Sequence, residues 1–285
     1  MTEKNLEINK IFRKCYYGLI KRNFRYISSP FRLLPNFIII GAVRSGTTSL
    51  YYNICEHSCV LPADYDEIGF FDSNYELGIN WYRSMFPTKR ESKKIKSKNG
   101  MCITGEDTPF YFWDKKAIER IKNKIPKTKL IVLLRNPIDR AYSNYQLGKR
   151  SGNELLSFEN AIKKEIELLE KNNDFENDEI EKFRRTRSYI AKGLYYNQIK
   201  HWFALFPQEQ ILVLNSDDLA KNPHQTMKSV FNFLELPEEE IINLQHRKVE
   251  TYEKMNKETR QFLTNLFKPH NEKLFKSIGK RFDWD

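Results

Sequence analysis

From Pro35 onward, short apolar runs alternate with stretches in which apolar residues recur every third or fourth position. "NFIIIG" (36–41), "MCITGE" (101–106), "KLIVLL" (129–134) and "QILVLN" (210–215) read as strands. "SLYYNICEH" (49–57), "AIERIKNKI" (117–125) and "YYNQIKHWFALF" (195–206) read as helices. In the last of these, Tyr195, Ile199, Trp202 and Phe206 share one apolar face suited to core packing. "SFENAIKKEIELLEK" (157–171) starts at a Ser157 cap and repeats apolar residues at Phe158, Ile162, Ile166 and Leu169. In "NPHQTMKSVFNFLEL" (222–236), Asn222 is the expected cap and Pro223 the first helical residue. "NKETRQFLTNLF" (256–267) and "HNEKLFKSIG" (270–279) are predicted as two helices, broken at Pro269 and ended by Gly279. Continuously apolar strands are buried on both faces, so the alternation predicts an α/β class: one domain in three layers, a central parallel sheet flanked by helices.

Ahead of this alternation, Ile8, Ile11, Phe12, Cys15, Tyr16, Leu19 and Ile20 fall at helical spacing with Lys10, Arg13, Lys14 and Lys21 between them. Residues 1–34 are therefore set apart as a basic amphipathic segment and 35–285 as the main domain. The apolar stripe is expected to pack on the domain; lying on an anionic membrane is the secondary reading. "KNNDFENDE" (171–179) reads as an exposed loop.

Composition adds bounds to this picture. The 285 residues, 40% hydrophobic and 30% charged, can bury a sizeable core. No apolar run approaches bilayer length, and the first 30 residues show no secretory h-region. Cys15, Cys55, Cys59 and Cys102 fit no zinc or disulfide spacing; Cys55 and Cys59 sit a turn apart on a predicted helix as small buried thiols, and a reducing cytoplasm is expected. A net charge of +11 favours anionic partners. Nucleic acid is not expected, because the aromatics (14%) sit at core spacings and no binding motif accompanies them.

The chemistry concentrates in "GAVRSGTTSL" (41–50). A strand, a glycine-rich turn and a helix start aim backbone N–H groups and a helix dipole at one point, an anion cradle. Gly41 and Gly46 have the phosphate-loop spacing, but Thr47 stands where a nucleotide hydrolase carries lysine, and the nearest cation is Arg44. Asp217 and Asp218 offer only a weak metal site. A loop with a cation but no metal apparatus suits a transferred group less charged than a phosphoryl, such as a sulfuryl group.

Together, "GAVRSGTTSL" and "LLRNPIDRAYSNYQ" (133–146) resemble the two nucleotide-binding motifs of sulfotransferases that use 3′-phosphoadenosine 5′-phosphosulfate (PAPS). "DEIGFFDSNYELGINWYRSMFP" (66–87), "GEDTPFYF" (105–112) and the ending "LFKPHNEKLFKSIGKRFDWD" (266–285) resemble the carbohydrate, heparan-type branch. The resemblance implies that Arg44, Ser45, Gly46, Thr47 and Thr48 hold the 5′-phosphosulfate, and that Arg135 and Ser143 hold the 3′-phosphate. Lys248 lines up with the loop closing over that phosphate. Arg44 takes the place of the catalytic basic residue, and since arginine does not donate protons near neutrality its role is electrostatic. Glu67 matches the base that activates the acceptor, with Asp64 and Asp66 as rivals. Position 69 is Gly where related enzymes often carry His, and Asp107 stands where they often carry Lys or a small residue. Thr108, Pro109 and Tyr111 are expected to shape the cleft wall, and Phe110 and Phe112 to pack.

The expected function is transfer of a sulfuryl group from PAPS to a hydroxyl or amine, on a glycan or small hydroxylated compound, leaving adenosine 3′,5′-bisphosphate (PAP) and using no metal. A tyrosylprotein or small-molecule acceptor is the alternative within the class, and a degenerate P-loop kinase or NTPase the alternative outside it.

Overall fold

The computed structural model describes residues 25–171, 188–241, 244 and 252–284. The segment 1–24, the 172–187 stretch with most of the predicted loop, and Lys248 lie outside the described residues. Five parallel strands form the sheet: β1 (Phe37–Gly41), β2 (Val60–Pro62), β3 (Ile103–Asp107), β4 (Lys129–Leu134) and β5 (Ile211–Asn215), in the spatial order β2-β3-β1-β4-β5. Helices α1 (Thr47–Cys55), α2 (Gly78–Arg83), α3 (Lys89–Asn99), α4 (Lys115–Lys124), α5 (Pro137–Arg150) and α6 (Phe158–Lys171) come first. They are followed by α7 (Tyr195–Leu205), α8 (Ser216–Lys221), α9 (Pro223–Leu234) and α10 (Lys257–Ile278). The α/β class, the parallel sheet and its flanking helices are as the sequence predicts.

β1 is buried along its whole length and sorts its side chains alternately to the two faces. Ile38 and Ile40 join Phe70, Tyr82, Phe112 and Trp202 on one side. Phe37 and Ile39 meet Leu50, Ile54, Val230 and Leu234 on the other. A third cluster, with Ile138, Tyr145, Phe158, Tyr189 and Phe267, joins α5, α6 and α10. Burying such a large apolar side chain stabilises by about 1.5–3 kcal/mol, so β1, with four of them fully buried, is costly to perturb.

Three local expectations are corrected. The two predicted C-terminal helices are a single helix, α10, that runs through Pro269. Interior proline costs about 3 kcal/mol, but Leu263 and Phe267 before it and Leu274 and Phe275 after it are buried in two separate clusters, and their burial outweighs the lost hydrogen bond. Pro223 does open α9, yet the Asn222 side chain makes no capping bond; only its carbonyl accepts, from the Thr226 N–H and hydroxyl at 3.1 Å. Helix α1 ends at Cys55, so Cys59 belongs to the turn before β2, where it is buried while Cys55 is half-buried. Ser157 does cap α6, its hydroxyl accepting the Asn160 N–H at 3.3 Å.

Candidate active site

β1 feeds the glycine-rich loop, and α1 starts directly behind it. Two glycines make this passage possible. A Cβ on Gly41 would lie 2.4 Å from the Phe112 Cβ, and Gly46 turns the chain at φ 93°. The loop is fixed to β4 by the Ala42 N–H, which donates to the Leu133 carbonyl at 2.8 Å. No side chain caps the start of α1, which leaves its first-turn N–H groups available to an anion. Thr47 is buried, Thr48 half-buried, and the buried Ser45 hydroxyl lies close enough to Tyr195 to influence that phenol without a hydrogen bond of ordinary geometry. Arg44 adopts a left-handed backbone at φ 68°, an uncommon state for a side-chain-bearing residue, concentrated at ligand-binding loops.

The second motif meets the first here. β4 delivers Arg135 to the end of the sheet, and Asn136 caps α5 by accepting the Ile138 N–H at 2.9 Å. Ser143 lies buried on that helix. The Arg44 Nε donates to the Ser143 Oγ at 3.2 Å, and an Arg135 Nη1 donates to the Arg44 carbonyl at 3.4 Å. The Tyr195 hydroxyl donates to the Arg135 carbonyl at 2.9 Å, and burial pushes that phenol up to about 12 against the pull of Arg140 and Arg135. Tyr195 thus supports the site as well as the core.

Across the cradle, β3 ends in two acids that the sequence did not single out as a pair. Glu106 is fully buried and accepts hydroxyl hydrogen bonds from Tyr82 at 2.5 Å and Thr108 at 2.7 Å. Burial pushes its carboxyl up to about 7 even though these hydroxyls and Tyr111 pull the other way. Asp107 is 1% exposed, and neither of its oxygens has a hydrogen-bond partner of ordinary geometry. Burial, then Glu67, Asp66 and Glu106, push it up to about 8, with the Thr48 hydroxyl acting in the opposite sense. Asp107 therefore lies in the field of both the cradle helix and the Glu67 loop. Its carbonyl accepts the Glu67 N–H at 3.0 Å, and Glu67 itself is left-handed at φ 50°. The Glu67 side chain stands at the surface, and partial burial followed by Asp66 and Asp72 raises its carboxyl.

The wall behind this loop differs from expectation. Tyr111 does not line a cleft; it is fully buried, and its hydroxyl accepts the Phe71 N–H at 3.2 Å. Thr108 accepts the Gly69 N–H at 3.3 Å, so it ties the Glu67 loop to β3. Asp217 and Asp218 occupy the first turn of α8, where Asp218 lies 3.6 Å from Lys280. No group of three or more His, Cys, Asp or Glu is gathered as metal ligands among the described residues.

Seven of the expected contact residues thus converge: Arg44, Ser45, Gly46, Thr47, Thr48, Arg135 and Ser143. Glu67 stands on the opposite side of the cradle, held by the end of β3. The sequence reading missed Glu106, Arg140 and Glu165. Arg140 is fully buried on α5, with a guanidinium N–H donating to the Tyr189 carbonyl. Glu165, buried on α6, accepts from Ser188 Oγ and from the N–H groups of Tyr189, Ile190 and Ala191 at 2.7–3.0 Å. The signal for Glu165 was faint: an acid two turns after Phe158 and one turn after Ile162 on an amphipathic helix.

A family model described as a sulfotransferase domain matches residues 34–285. The chain belongs to the sulfotransferase family. The "Membrane-associated sulfotransferase kil1" of Dictyostelium discoideum is 28% identical, over 88% of this chain and 66% of its own. Human heparan sulfate glucosamine 3-O-sulfotransferase 3B1 is 28% identical over 88% of this chain and 65% of its own. Human bifunctional heparan sulfate N-deacetylase/N-sulfotransferase 3 is 27% identical over 87% of this chain and 30% of its own. The chain therefore spans 66% or less of these relatives' lengths. Among solved structures, a sulfotransferase from Alicyclobacillus acidocaldarius superposes with a TM-score of 0.67 at 25% identity, covering 88% of this chain and 98% of that one. The resemblance seen in the two motifs is thus a family membership, and the kinase alternative is set aside.

Proposed function

We propose that the protein transfers a sulfuryl group from PAPS to a hydroxyl or amine of a glycan. One observation carries this reading: Arg44 of the cradle donates to Ser143 while Arg135 donates to the Arg44 carbonyl, so the two motifs form one basic pocket. The residues fit a nucleotide with phosphate groups at both ends. The uncapped start of α1 and the Thr47 and Thr48 hydroxyls suit an anionic 5′ end, and Arg135 with Ser143 suits a 3′-phosphate. Lys248 belongs to the same proposal as a further phosphate contact. The heparan sulfate relatives support a glycan acceptor.

PAPS supplies a sulfuryl group on a phosphate leaving group. The protein's part is positioning and charge. The Glu67 carboxylate accepts the acceptor's O–H or N–H proton as the acceptor lone pair bonds to sulfur. Arg44 offsets the negative charge that builds on the departing phosphate oxygen, and its fixed charge makes it an electrostatic group rather than an acid. No covalent bond to the enzyme is needed. A reducing, cytoplasmic setting goes with this reading through the free thiols Cys55, Cys59 and Cys102, although the Dictyostelium relative is named as membrane-associated. No helix among the described residues is long and apolar enough to cross a membrane.

The test is incubation with radiolabelled PAPS and a panel of heparan-type glycans, unsulfated glycans, tyrosine peptides and small hydroxylated compounds. Label should enter glycans and should be lost in Arg135→Ala. Label confined to peptides or small compounds would overturn the acceptor assignment, and absence of PAP binding by calorimetry would overturn the donor assignment.

A further inference from the structure

The stretch from Glu67 to Phe71 carries the proposed base and is tied down at every second residue. The Glu67 N–H donates to the Asp107 carbonyl at 3.0 Å, the Gly69 N–H to the Thr108 hydroxyl at 3.3 Å, and the Phe71 N–H to the Tyr111 hydroxyl at 3.2 Å. The Glu67 side chain is exposed, and its backbone is left-handed at φ 50°. A residue with a side chain stays in that region only where its surroundings hold it there. Two of the three ties end on hydroxyl groups, and a hydroxyl can turn either its proton or a lone pair toward a neighbour. The loop is held only while both hydroxyls turn lone pairs toward it.

Glu106 sets that orientation. It is fully buried, near the end of β3. Its Oε2 accepts the Thr108 hydroxyl at 2.7 Å, and its Oε1 accepts the hydroxyls of Tyr111 at 3.4 Å and Tyr82 at 2.5 Å. An ionised carboxylate offers lone pairs and no proton, so it draws the Thr108 and Tyr111 protons to itself. The lone pairs of both hydroxyls are then left to the loop N–H groups. Tyr82 braces the arrangement, since it also stacks on Phe70 of the same loop with ring centres 4.5 Å apart. Burying a carboxylate is costly unless its oxygens are bonded. An apolar side chain at this position would suit the surrounding cluster of Phe70, Phe71 and Phe112, but it could not orient the hydroxyls.

We propose that Glu106 is a positioning residue for the reaction: through Thr108 and Tyr111 it holds the Gly69 and Phe71 N–H groups, and so fixes where the Glu67 carboxylate stands. The inference rests on the sulfotransferase reading, in which Glu67 takes the acceptor's proton. Glu106 is sealed from solvent and meets no substrate, so its effect reaches the reaction only by way of Glu67. A reacting group displaced by about 1 Å can lose about a hundredfold in rate, so a side chain that touches no ligand can still matter strongly.

The experiment is run on the full chain at about pH 8, where the Glu106 carboxyl, raised to about 7, is ionised. Glu106→Gln keeps the shape but replaces one oxygen with an N–H donor, so at least one hydroxyl must turn. With radiolabelled PAPS and a heparan-type glycan, its kcat should fall by about ten- to a hundredfold, while PAP affinity by calorimetry stays unchanged. Hydrogen–deuterium exchange of residues 68–73, read by mass spectrometry, should accelerate. Thr108→Val should reproduce both effects, and Thr108→Ser, which keeps the hydroxyl, should restore them. In a Glu67→Gln background, Glu106→Gln should lower the residual rate no further. An undiminished kcat in Glu106→Gln, unaltered exchange, PAP affinity lost in step with the rate, or an equal loss in the Glu67→Gln background would each overturn the role. If Glu106→Gln does not fold, the Thr108→Val and Thr108→Ser pair decides alone. If the unaltered chain neither binds PAP nor transfers label, the sulfotransferase reading falls and the catalytic role with it, while the exchange rates still decide whether Glu106 holds the loop.

Discussion

Asp107 makes a sharp thermodynamic prediction. Its carboxyl is raised from an ordinary 3.8 to about 8, chiefly by burial and then by Glu67, Asp66 and Glu106. A raised acid binds more protons in the folded than in the unfolded chain, so stability declines as pH climbs between those two values. Below about pH 4 both states are protonated and the group costs nothing; above about pH 8 the full cost of a buried carboxylate is present. At about 1.4 kcal/mol per unit, the ceiling is on the order of 5 kcal/mol. Coupling to Glu106, itself raised to about 7, spreads this over a wider range. Asp107→Asn keeps the shape and removes the ionisation. Urea unfolding followed by circular dichroism should show its stability advantage smallest at pH 5 and larger by about 2–4 kcal/mol at pH 9. A difference that is flat with pH, or an Asn variant less stable at pH 9, would refute the reasoning, for it would mean that the carboxylate is welcomed by a cation.

Other expectations follow from the same geometry. Arg44→Ala should lower kcat by about 10²–10³ and change PAP affinity far less, with Arg44→Lys recovering part of the rate in the labelled-PAPS assay. Glu67 must be ionised to act as a base, and its carboxyl is raised by burial and by Asp66 and Asp72, so kcat/KM should increase with pH through that raised value. Asp66→Asn removes one of the raising charges and should shift the rise to lower pH; an unmoved profile would exclude Glu67 as the titrating base. Gly41→Ala places a methyl 2.4 Å from the Phe112 Cβ, and thermal unfolding should show a loss of about 1–3 kcal/mol from overpacking.

The sequence made β1, β4 and β5 legible because they are apolar enough to stand out locally. β2 escaped notice, since three residues, "VLP", carry no period. α3 also escaped, being polar apart from Ile95 and with no buried residue; it depends on a Thr88–Glu91 capping box, not on a stripe. Pro269 misled for the opposite reason: a strong local breaker was overruled by tertiary burial. The meeting of Arg44, Arg135 and Ser143, the proposed donor pocket, was readable because they sit at fixed offsets from strand ends and helix starts. Glu106, Arg140 and Glu165 were not, because a charge buried by distant partners is indistinguishable in sequence from one facing water.

The strand order gives the molecule a division of labour. β1 carries the cradle, with β3 and its acids on one flank and β4 with Arg135 on the other. On the proposed function, acceptor activation and nucleotide binding therefore fall to separate, non-adjacent strands. That proposal expects an exchange of residues 60–113 for those of a relative to change the recipient while PAP affinity stays as it was.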